Sequence, residues 1–168
     1  MAAYFKKQEY APQTIAALEK ALPELNYTQI LNALTILCHL SLTMPCLSRE
    51  ATEQEITHSQ KLNHYLIEQA SFHQNYQVLA APLTGIGVQT DHFTQLYYRA
   101  HFKDGLKTAK QFAEYIQNTL DPLGWLVLDN EGKSVQDRAE SLKILQSKAQ
   151  IFIDSDKLKI AKQLKLFA

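Results

Sequence analysis

Apolar residues recur at three- and four-residue spacing along most of this 168-residue chain. That period places one side of an α-helix against a core. It predicts a first helix through TIAALEKAL, which opens just after Pro12 and closes before Pro23. A second helix starts at Asn26, where Asn26 and Gln29 have the spacing of a capping box, and runs to about Thr43. Its apolar residues Ile30, Leu31, Leu34, Ile36, Leu37, Leu40 and Leu42 point all round the axis. A helix apolar on every side belongs in the middle of a bundle.

A third helical pattern begins at Thr52, again with a capping box to Glu55, and continues to about Ala80 before Pro82. Leu83 to Gly87 reads as a loop. Asp91 caps a helix through HFTQLYYRAHF, and LKTAKQFAEYIQNTL forms the next after Asp104-Gly105. After the turn Asp121-Pro122-Leu123-Gly124, Trp125 to Leu128 is a strand. Asp129-Asn130-Glu131-Gly132 turns it into a short hairpin within 125–135. Ser134 and Asp137 mark another helix start, and the helix after them buries Val135, Ala139, Leu142, Leu145 and Ala149. A basic helix over about 157–167 follows. The expectation is an all-α fold: one domain over 1–168, a bundle of about six helices with at most one β-hairpin.

Composition changes this little. Hydrophobic residues make up 46% and charged residues 20%, as in ordinary globular proteins. The formal charge is zero, from 17 basic and 17 acidic side chains, which argues against wholesale binding to nucleic acid or membrane. The balance is uneven, however. From Lys133 onward there are eight Lys/Arg against four Asp/Glu. Two cysteines, Cys38 and Cys46, are too few for a disulfide scaffold, and reduced thiols in a cytoplasmic protein are expected. The N-terminal MAAYFKKQEYAPQ lacks the apolar run of a secretory signal. The 24 residues from Leu25 to Ser48 carry no formal charge. Asn32, Thr35, His39, Ser41, Thr43 and Pro45 interrupt them, so a buried helix is expected and no membrane span.

Chemistry is sought first in Glu55–His73, EITHSQKLNHYLIEQASFH. With His58 at 0° and 100° per residue, Leu62, Leu66 and Tyr65 fall at about 40°, 80° and 340°. The apolar stripe therefore centres near His58, and Glu55 joins it. His64 and Glu68 fall opposite, as a solvated i, i+4 pair. His58 and His73 share the stripe but lie roughly 22 Å apart on a helix, too far for one ion. Glu55-Ile56-Thr57-His58 is an E-x-x-H pair, whereas di-iron bundles need two. No metal and no cofactor are expected.

Other patterns fail on inspection. Gly132-Lys133-Ser134 lacks the glycine of a phosphate loop, since Val127 stands there. Asp129 to Glu140 has Lys133 and Ser134 where a calcium loop needs an oxygen ligand and glycine. Cys38, beside His39, reads as a small buried hydrophobe, and Cys46 as the more exposed thiol. Phe93, Leu96, Tyr97 and Ala100 form a core stripe from which Arg99 points away. In the last helix Lys159, Lys162 and Lys165 lie opposite the arc of Ile160, Ala161, Leu164 and Phe167.

Three functional expectations follow. The first is a non-enzymatic helical bundle that works by binding another protein, as adaptor, regulator or inhibitor. The second is a small enzyme or ligand-binding bundle with a pocket near His39, Glu55, His58 and aromatic residues such as Tyr97. The third is association with nucleic acid through Lys159, Lys162 and Lys165.

Overall fold

The computed structural model describes residues 1–40, 42–129 and 131–168. Ser41, from the charge-free stretch, and Asn130, from the expected turn after Trp125–Leu128, lie outside the described residues. Eight α-helices are described: α1 (Ala2–Lys7), α2 (Ile15–Ala21), α3 (Tyr27–His39), α4 (Glu53–Gln69), α5 (His92–Phe102), α6 (Ala109–Leu120), α7 (Arg138–Asp154) and α8 (Lys157–Gln163). Two antiparallel hairpins interrupt them. One joins β1 (Val78–Ala81) to β2 (Ile86–Gln89), and the other joins β3 (Val127–Leu128) to β4 (Ser134–Val135). The chain is mostly helical, with eight described helices and two hairpins where about six helices and at most one hairpin were expected.

Helix starts follow local chemistry. The side chains of Asn26 and Thr52 accept from the backbone N–H of Gln29 and Glu55, whose own side chains return the bond. Thr108 and Gln111 form a third capping box. Asp91 and Asp137 cap α5 and α7. Each such cap stabilises its helix by about 1 kcal/mol.

The core lies among α4 to α8 and β1. Ile67, Leu79, Leu96, Phe112, Ile116 and Leu145 are fully buried there. Tyr97 stacks on Phe152 at 4.7 Å between ring centroids, and Phe102 on Phe167 at 4.6 Å. After α8 the chain turns at Lys165, which has a left-handed φ of 53°. Leu166 N–H then donates to Ala161 C=O, and Lys165 N–H to Lys162 C=O, closing the helix end. That turn delivers Leu166 and Phe167 into the core.

The hairpin β1–β2 is the largest departure from the sequence pattern. The third helix stops at Gln69 and does not run to Ala80, so His73 lies beyond it. Leu79 and Ala81 face inward and Val78 outward, the alternation of a strand. Pro82 to Gly85 makes the turn, with Gly85 at a φ of 68° that suits glycine. A two-stranded sheet is marginal alone, and this one is held by α4. The side chain of Asn63, wholly buried, accepts from Ala80 N–H at 2.7 Å. Its amide donates to Ala80 C=O at 2.8 Å and to Leu166 C=O at 2.9 Å. One residue of α4 thereby fixes both β1 and the C-terminal tail.

The same bridge explains which face of α4 is buried. Ile56, Asn63, Ile67 and Ala70 point inward. On the angular scale above they fall at about 160°, 140°, 180° and 120°, opposite His58. The stripe expected around Leu62 and Tyr65 is therefore the exposed face. The expected His64–Glu68 pair does not form either. His64 packs edge-on to Phe167, and Glu68 pairs with Arg99 and Lys103 of α5.

Candidate functional site

α3 is peripheral, not central. Its one buried residue is Ile30. It packs with α2, whose one buried residue is Leu18. At its far end Ile36 and Leu40 are 60% and 59% exposed, and Leu42 just beyond is 64% exposed. Ile36 and Leu40 are one turn apart and so form one ridge. The expectation that this helix is buried on all sides is corrected here. Its apolar residues have no core on the outer side.

Beside that ridge lies a groove of about 290 Å³, lined by Ala2, Ala3 and Phe5 of α1 and by Leu37 and Leu42. Its walls are set by an unusual joint. After α1, Glu9 and Tyr10 take φ values of 51° and 63°, the left-handed region that non-glycine residues seldom adopt. Tyr10 N–H donates to Phe5 C=O at 2.9 Å, and Glu9 N–H to Lys6 C=O at 3.0 Å. The Tyr10 hydroxyl then donates to Asp156 Oδ2 at 2.6 Å, and Lys6 stands 3.4 Å from the same oxygen. The hydroxyl, with help from Lys6 and Lys159, holds the Asp156 carboxyl below its ordinary pKa. This anchor ties α1 to the α7–α8 joint and holds one wall of the groove in place.

The residues singled out by sequence sit at different places in the fold. His39 is exposed at the end of α3, next to Leu40 on the ridge. Glu55 closes its capping box and is gripped by Arg49 through two oxygens at 2.6 and 2.9 Å. Arg49 and then Thr52 push its carboxyl down to about 2. His58 is exposed. Tyr97 is buried on Phe152, and of these four residues it alone lines either concavity described here. Lys159 pairs with Asp156 at 3.5 Å, while Lys162 and Lys165 are exposed. Cys38, expected buried, is exposed like Cys46. Among the described residues no group of three or more His, Cys, Asp and Glu side chains could hold a metal ion. None of the described helices is long and apolar enough to cross a membrane.

Two constellations went unseen in the sequence. Glu68, Arg99, Lys103 and Asp104 form an ion network capped by the Tyr115 hydroxyl. Burial pushes the Glu68 carboxyl up, but Lys103 and Arg99 outweigh it and leave the pKa lowered. The only sequence signal was Arg99 and Lys103 one turn apart. The second is a cleft between α5 and α7, lined by Tyr97, Asp91, Lys157 and Lys148, the last of which also donates to the Leu128 carbonyl at 3.2 Å. No spacing rule links positions so far apart in the chain. Comparison with known proteins adds no relative, for no family model, curated protein or solved structure matches the chain.

Proposed function

We propose that this protein works by binding another protein through the α1–α3 face. The observation that carries the reading is the exposed ridge of Ile36 and Leu40, with exposed Leu42 just beyond it, beside an apolar groove. Covering a large apolar side chain is worth about 1.5–3 kcal/mol, so three in one patch are a substantial unpaid surface. Exposed apolar patches on soluble domains mark interaction sites. The stretch from Leu25 to Ser48 carries no formal charge, so on the α3 side a partner need not desolvate an ion, and the charged group lining the groove is Lys6 on the α1 side. The occupant that fits is an apolar helical segment of another protein, its side chains entering the groove while the ridge packs alongside.

The test is capture from the native source with the full chain and with Ile36→Ser/Leu40→Ser, followed by cross-linking of the captured pair. Support requires a captured protein that the double variant loses and cross-links that map to α1 and α3. Capture unchanged by the double variant, or cross-links confined to α8, would overturn the reading. Sedimentation analysis separates the remaining case: a concentration-dependent dimer abolished by the same variant would make a second copy the occupant.

A further inference from the structure

The cleft between α5 and α7 shares no lining residue with the α1–α3 groove. It is an open cleft of about 310 Å³, a volume at the lower end of the roughly 300–1,000 Å³ of small-molecule sites. Its floor is aromatic: Phe93, Tyr97 and Phe152 line it, and the last two rings are stacked. Its rim is charged. Lys148 lies over the Phe93 ring at 5.6 Å. Lys157 donates to Thr94 Oγ1 at 2.7 Å and stands 3.4 Å from Asp91 Oδ2. Two ammonium groups and one carboxylate leave a single positive charge.

One lining residue carries a polar group with no bond. Tyr97 is 3% exposed, and its hydroxyl finds no hydrogen-bond partner among the described residues. A buried hydroxyl without a hydrogen bond is costly and uncommon in folded proteins. Burial, and secondarily the charge of Asp91, push the Tyr97 pKa well above the ordinary tyrosine range. The hydroxyl therefore keeps its proton and remains a donor.

We propose that this cleft binds a small amphipathic carboxylate, its ring or short chain on the aromatic floor and its carboxylate among Lys148, Lys157 and the Tyr97 hydroxyl. Each part answers one feature. The apolar body covers Phe93 and Phe152. A monoanion matches the single net charge, whereas a dianion would face Asp91. The carboxylate supplies the acceptor that the Tyr97 hydroxyl lacks, and ammonium donors make such bonds strong.

The experiment is titration of the ¹⁵N-labelled full chain with benzoate and with hexanoate, followed by NMR. Benzamide and inorganic phosphate serve as the other arms. Saturable shifts at Thr94, Tyr97, Ile151 and Phe152 are expected, with a Kd of about 1 mM or tighter for at least one carboxylate. Tyr97→Phe keeps the ring on Phe152 and removes only the hydroxyl, so binding should weaken about tenfold. Asp91→Asn keeps a capping oxygen but removes the like charge, so binding should tighten several-fold. A purely structural Tyr97 or Asp91 would not produce that opposed pair. The proposal is overturned by no saturable shift up to about 10 mM, or by an equal response to benzamide. A stronger response to phosphate than to either carboxylate also overturns it. So does a Kd that neither variant moves, provided the melting curves show both folded; if Tyr97→Phe does not fold, Asp91→Asn and Lys148→Gln decide alone.

Discussion

The segment from α1 to α3 and the body from α4 to α8 are both rich in apolar residues, yet they use them differently. In the body, buried side chains come from every helix, and buried polar groups hold elements far apart in sequence. Asn63 joins α4 to β1 and to Leu166, and His92 places its Nε2 2.7 Å from the carbonyl oxygen of Ala70, so α5 starts against the end of α4. In α1 to α3 the buried residues are Leu18 and Ile30. The ties between α1 and the body include the Tyr10 and Lys6 contacts with Asp156 on its surface. Apolar composition is a capacity for burial, and the neighbours decide whether it is used. Where the chain supplies no neighbour, the capacity remains for something else.

The contrast can be broken most forcefully in the body. Phe112→Ala should cost about 3–5 kcal/mol in chemical denaturation, since the side chain is wholly enclosed. Ile36→Ala on α3 should change stability by less than about 0.5 kcal/mol. Comparable losses from the two would erase the distinction. Asn63→Leu comes next, at roughly 2–4 kcal/mol. It leaves the N–H and C=O of Ala80 and the C=O of Leu166 without their partner, and each orphan costs about 1–3 kcal/mol before relaxation. Hydrogen exchange should show protection falling at β1 and at the C-terminal tail together.

The ion network gives a smaller, pH-dependent effect. Because the native Glu68 pKa lies below its ordinary 4.5, its contribution is fully present above about that pH. It is lost as pH falls through the lowered native value, because the unfolded chain takes up the proton first. Glu68→Gln should flatten that part of an acid denaturation curve, and an unchanged curve would remove the network from the account of stability. The smallest effect is expected at Lys165. Its left-handed backbone favours glycine, though glycine also loses more freedom on folding. Lys165→Gly should therefore stabilise by only a few tenths of a kcal/mol, read as a small upward shift in Tm.

Features settled within one turn of chain were legible in the sequence. The capping boxes at Asn26 and Thr52, the cap at Asp91 and the short hairpin after Trp125 all rest on neighbours a few residues away. What needed distant partners was not. The buried face of α4 is centred on a polar residue, so a search for apolar stripes chose the opposite side. Hairpin β1–β2 has four-residue strands, too short for alternation to outweigh a helical run. Val78-Leu79-Ala80-Ala81 and Ile86-Gly87-Val88 around Pro82 to Gly85 carried the signal, along with Gly87, where a Cβ would run into Val78. Of the candidate residues, Tyr97 lines the cleft and His39 sits on the α3 ridge, while Glu55 serves the start of its helix. The apolar pattern of α3 was read correctly as apolar. Periodicity has no means of saying whether the surface that covers it belongs to the same chain.

The amide of Asn63 also sets an order of events at the ribosome. Its Leu166 acceptor lies 103 residues further along the chain. At about 5–20 residues per second, synthesis of that stretch takes roughly 5–20 s. Throughout that interval α4 and β1 can meet, but the cap that Leu166 supplies does not yet exist. A nascent chain can pair α4 with β1 early, but the Asn63 amide stays incompletely satisfied until Leu166 arrives.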